Sequence, residues 1–225
     1  MRLTDRHIAD LVHSGERGEA ELIELIKGRH DLRCVAALGE ASGPEGDEVL
    51  RHLVAAPGND DERCAALVAL AKRSGARGSD CFTEALTDRR VAVKEYAAAC
   101  LCAYGDDRAW DPVLAMLEKV TTKPQASPLF EELLSSQSTA LTLIGYLARH
   151  AQTTERATKA IAAIRGGWDR LQEFEQDWVR EYWPAAAPDA ADDIPAILND
   201  HDALRVARWS RDPLFVPLYS TVADE

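Results

Sequence analysis

Apolar residues recur along this chain at the three- and four-residue spacing of a helix, not in the alternation of a half-buried strand. Over residues 45–55, Val49, Leu50 and Leu53 share one face, and Glu45, Glu48 and His52 share the other. Over 79–87, Phe82 and Leu86 point one way and Asp80 and Glu84 the opposite way. Over 108–120, Trp110, Val113, Leu114 and Leu117 oppose Asp107, Asp111 and Glu118. Each pattern predicts an amphipathic helix that buries one stripe. The same reading places helices over 4–13, capped by Thr4 or Asp5, and over 19–27, 31–41, 61–74 and 90–104. Pro57-Gly58-Asn59 breaks the chain, and Gly75-Ala76-Arg77-Gly78 turns it between two helices. The expected fold class is all-α.

Three of these helices carry one pattern. Arg33, Arg63 and Lys94 stand about 30 residues apart, each followed three and four residues later by small or apolar residues: Ala36 and Ala37, Ala66 and Leu67, Ala97 and Ala98. Those offsets share a helix face, and small side chains there let neighbouring helices approach closely. In this the chain resembles the HEAT-repeat family in its short bacterial form, the type found in phycobilisome lyases. The third copy is the clearest, with Leu86-Thr87-Asp88, Val93-Lys94, Ala97-Ala98, Leu101 and Gly105-Asp106. The position of Asp88 is taken by Lys27 and Pro57 in the other two copies. The resemblance covers residues 18–120 and implies an α-α superhelix, a HEAT-type solenoid in which paired helices stack. It implies that Arg33, Arg63 and Lys94 form a structural ladder between repeats, and that the second helix of each pair lines a concave side. Glu45, Glu48, Asp80, Glu84, Asp107, Asp111 and Glu118 would then form one acidic surface.

Beyond Val120 the repeat register is lost. Helices are expected over 129–135, 139–151, 154–164, 171–182 and 194–199, and Pro184-Ala185-Ala186-Ala187-Pro188 reads as a linker or surface loop. Residues 1–120 are therefore expected to hold the repeats. Residues 121–225 are expected to continue them as degenerate helices ending in a cap. Leu171, Phe174, Trp178 and Tyr182 align on one face, which suits either an apolar cap or an aromatic cleft.

Composition narrows the function. Apolar residues make up 46% of the chain but aromatic ones only 6%, so much of the apolar content is Ala, Leu and Val, and Ala is the best helix former. The net charge of −12 disfavours nucleic acid and anionic membrane as partners. No apolar run is long enough for a membrane span, no leader pattern opens the sequence, and a cytoplasmic protein is expected. The five cysteines lack the paired spacing of a zinc site, and the six histidines form no metalloprotease motif, so no metal or other cofactor is expected. No nucleophile elbow or phosphate loop is present. The leading expectation is a non-enzymatic scaffold whose acidic face binds a basic protein or peptide, in one form an immunity or antitoxin-like protein. The alternative is an enzyme similar to the HEAT-like alkylpurine DNA glycosylases, with Trp110, Asp111, Arg149 and Trp178 as its loose candidates. A bilin lyase subunit is a third reading.

Overall fold

The computed structural model describes residues 3–57, 59–121, 138–191, 193–211 and 214–220. Among them the regular elements are helical and none is a strand. Packing divides the chain into two compact units, residues 1–100 with 215–225, and residues 101–214.

Unit 1 contains α1 (Asp5–His13), α2 (Gly15–Arg29), α3 (Leu32–Leu38), α4 (Gly46–Ala55), α5 (Asp60–Ser74), α6 (Ser79–Ala85) and most of α7 (Val91–Tyr104). The starts are written in the sequence. The side chains of Thr4, Asp31 and Asn59 accept backbone N–H groups two or three residues on, capping α1, α3 and α5. Helix α5 also opens on Asp60, Asp61 and Glu62 and closes on Lys72 and Arg73, charges that complement its dipole at both ends. Gly75, at φ +55°, then reverses the chain. Helix α5 packs against α3 and α4. The approach is close at Gly39, where an added Cβ would stand 2.6 Å from the Ala69 Cα.

Two sequence expectations about faces change here. Helix α4 buries Leu50 and Val54, while Val49 and Leu53 are only half-buried. Its inward seam is thus turned from the expected one, since packing against several helices, α5 above all, decides which residues are covered. On α7, Glu95 reads as a surface site but is 8% exposed, and residues 97–103 are buried without a break. A helix buried on most of its circumference has no room for a polar face.

Unit 2 is built around α9 (Thr139–His150), buried from Ala140 through Ala148. Helices α8 (Trp110–Val120), α10 (Thr154–Gly166), α11 (Glu173–Tyr182) and α12 (Asp200–Trp209) pack against it. Residue 120, where the repeat register was expected to end, lies inside this unit at the end of α8. Ser138 caps α9 and donates to the buried Glu175 at the start of α11, tying two helix N-termini together. Gly145 leaves room for Cys102 and Trp209 to lie against α9.

Three expectations for the C-terminal part are corrected. Residues 194–199 are not helical, and α12 lies just after them, where no helix is expected. Val206 is the one residue of α12 that is buried. The segment 184–188 is not a free linker: Pro184–Ala186 forms a 3-10 turn, Ala185, Ala186 and Ala187 are buried, and the Trp183 indole N–H donates to the Ala196 carbonyl at 2.9 Å. Helix α12 packs against α11. The expected helix over 129–135 lies outside the described residues.

Candidate functional site

Helix α4 places Glu48 on its solvent side with Glu45 at its N-cap, and α6, packed beside α4, places Asp80 and Glu84. All four are exposed. Asp80 is held internally, its carboxylate accepting from Arg51 at 3.3 Å. Burial raises the Asp80 pKa, and the Cys81 N–H and Arg51 more than offset that, leaving it below the usual value. In unit 2, Asp107, Asp111 and Glu118 are exposed on the turn before α8 and along it. Asp107 pairs with Arg156 at 3.3 Å, and that guanidinium also covers the Trp110 ring, 5.0 Å from its centroid. Glu45, Glu48, Glu84, Asp111 and Glu118 form no ion pair among the described residues. The candidate acids thus fall in two groups, one in each unit.

Two of the three basic anchors, Arg33 and Arg63, bond within the fold. Arg33 donates to Asp31 and, at 3.0 Å, to Asp5 at the start of α1. Arg63 donates to the Val54 carbonyl at 2.9 Å and to Asp88, joining the end of α4 to the approach to α7. Lys94 is half-buried and makes no ion pair among the described residues.

The densest polar cluster is one that sequence reasoning missed. Arg73 and Glu19 form an ion pair at 2.6 Å with side chains 9% and 2% exposed. The Arg73 guanidinium spends every donor. Its Nε reaches Asp47 at 2.6 Å, Nη1 the Leu38 and Ala41 carbonyls, and Nη2 Glu19 and the Gly43 carbonyl. Glu19 in turn accepts the Glu45 and Gly46 N–H groups at 2.9 and 3.0 Å, closing the N-terminus of α4. Gly43 and Gly46 are needed because a Cβ at either would strike the Glu19 carboxylate. Above the cluster lies a cleft of about 430 Å³ lined by residues 41–44 with Asp47, Arg73 and Arg77. The only sequence signal was the Gly-Pro-rich turn, since Glu19 and Arg73 lie 54 residues apart.

The cysteine thiols are not activated. Burial pushes the thiols of Cys34 and Cys81 up to about 11 and those of Cys64 and Cys102 up to about 12, so they stay protonated and weakly nucleophilic. Among the described residues no group of three His, Cys, Asp or Glu side chains could hold a metal ion, and no helix is long and apolar enough to cross a membrane. Trp110 and Trp178 are buried, and Arg149 donates to the Cys102 carbonyl. Of the four residues of the glycosylase reading, only Asp111 is exposed. In the aromatic stripe, Leu171 and Trp178 are buried, Tyr182 stacks on Trp178 with centroids 4.8 Å apart, and Phe174 is 47% exposed.

His150 gives a pH-dependent expectation. Burial, then the neighbouring Arg149, lowers its pKa to about 4, and its ring lies 4.5 Å from that of Tyr146. The unfolded chain, with an ordinary histidine, binds the proton first, so stability is full above about pH 6.5 and declines as pH falls toward 4. The Nε2 atom is buried with no partner among the described residues. His150→Phe gives up the ring's bond to the Gly105 backbone, a cost that does not vary with pH, and denaturant titrations of the two proteins should shift in its favour as pH falls from 6.5 to 4. A constant difference over that range would refute the assignment.

No protein-family model matches this chain, and neither curated proteins nor solved structures show a detectable match to it.

Proposed function

We propose that the chain is a non-enzymatic interaction protein, built of stacked short HEAT-type repeats, whose exposed acids bind a basic protein or peptide. The observation that carries this reading is the contrast between two classes of charge. The buried cluster around Arg73 is saturated by internal bonds. Glu45, Glu48, Glu84, Asp111 and Glu118 instead project to solvent with no internal counter-ion among the described residues. Unpaired acids raise a negative field that steers a cationic partner and is weakened by salt. The packing of α3 and α4 on α5, one repeat further on, supports the repeat reading, as does Arg63 bridging both sides of its helix pair. An immunity or antitoxin-like role fits this chemistry, because a nucleic-acid-cleaving toxin is itself basic.

Single exposed charges contribute little, roughly 0–1 kcal/mol each. The test therefore reverses three together: Glu48→Lys, Glu84→Lys and Glu118→Lys. A pull-down from native lysate should lose salt-sensitive partners that the wild type retains. A matched variant reversing Glu173, Asp177 and Glu181 on α11 should keep them. Retention by the first variant and loss by the second would move the working surface to α11. Excision of alkylated bases by the purified protein would replace the reading with an enzymatic one.

A further inference from the structure

Unit 1 closes on a segment that reaches it only after the whole of unit 2, residues 215–220. The segment is held by two charged side chains that are themselves buried, Glu40 at 5% exposed and Lys72 at 8%. Glu40 accepts the N–H groups of Leu218, Tyr219 and Ser220 at 2.8, 2.9 and 2.9 Å. Lys72 donates to Glu40 at 3.1 Å and to the Val216 carbonyl at 2.7 Å. All four of these bonds to the segment go to its main chain. Side-chain selectivity comes from Phe215 and Tyr219, which are buried, while Val216 and Leu218 point to solvent. A pair of desolvated opposite charges that grips backbone, flanked by two apolar anchors four residues apart, has the construction of a peptide socket.

The geometry points to a socket that accepts the C-terminal segment of a second copy of this chain as well as its own, giving a dimer by reciprocal exchange. The occupant's fit is already demonstrated, because the exchanged segment would make the same bonds to Glu40 and Lys72. Exchange of an identical element between protomers is a low-cost route to a dimer, because no new contact has to be built. Since bonds lost in one chain are regained in the other, the balance is set by the effective concentration of the tethered segment against that of free protein.

Two full-length variants test this by complementation. Glu40→Ala disables the socket and leaves the segment intact. Phe215→Ala with Tyr219→Ala disables the segment and leaves the socket. Neither can form an intact pair alone, but mixed they can form one in trans. The expected result is a doubled mass by light scattering in the mixture only. Amide exchange at 218–220 in the Glu40→Ala chain should then slow by at least about tenfold relative to that chain alone. Monomeric mass and unprotected amides in the mixture would overturn the proposal. If either variant has lost its helical circular dichroism, sedimentation of the wild type decides. A dimer fraction that grows from micromolar to millimolar protein, and is absent in Lys72→Met, supports exchange. A monomer throughout overturns it.

Discussion

Arg73→Met should destabilise the protein by about 3–5 kcal/mol, the cost of leaving a buried carboxylate without its partner. Removing the guanidinium strands Glu19, which is almost wholly enclosed, and frees the Leu38, Ala41 and Gly43 carbonyls together with Asp47. Methionine keeps most of the apolar stem, so the loss reports charge and hydrogen bonding more than a cavity. The comparison is Arg33→Met. That side chain is 45% exposed, so its pairs with Asp31 and Asp5 are screened by solvent and its loss should shift the midpoint far less. Urea titrations of both variants check this. Similar midpoints would show that the Arg73 cluster is solvated in solution and is not the keystone of unit 1. The double change Arg73→Met with Glu19→Met should recover part of the loss, because a buried apolar pair costs less than one buried charge.

Ala97→Asp should destabilise by at least about 3 kcal/mol, because a carboxylate enters a position with no access to water. The informative companion is Glu95→Ala two residues away. A surface site would change stability by less than about 0.5 kcal/mol. Glu95 is instead buried and engaged in a polar interaction, so its truncation should cost about 1–3 kcal/mol by leaving its partner unsatisfied. Thermal melts of the two variants separate the possibilities. A neutral Glu95→Ala with a severe Ala97→Asp would mean that α7 has an open polar face in solution.

Helix positions on the N-terminal side were legible in the sequence because their information is local. Thr4, Asp31 and Asn59 cap helices through bonds spanning two or three residues, and the Ala-rich steps after Arg33 and Arg63 recur at a fixed period. The exposure of Glu45, Glu48, Asp80, Glu84, Asp107, Asp111 and Glu118 followed from the same periodicity, since an amphipathic helix must turn its polar stripe outward. Helix rotation was less legible. Val49 and Val54 are equally apolar, yet Val54 is buried and Val49 only half-buried, a choice made by packing against neighbouring helices. Helix α12 is held by the buried Val206 and by the contact of Trp209 with Trp178, a pairing between helices that periodicity within one helix does not encode.

What the sequence by itself determined is an all-helical chain, the starts of most N-terminal helices and an acidic, solvent-facing set of side chains. Each of these depends on neighbours within about one helical turn. Only the tertiary structure decided which charges are structural. Glu19 and Arg73 are 54 residues apart, Lys72 and Glu40 are 32 apart, and Glu40 and Tyr219 are 179 apart. A charged residue looks the same in sequence whether it faces water or fills a socket. Burial is a property of what folds over it, and here that is a loop with two obligatory glycines in one case and a distant C-terminal segment in the other.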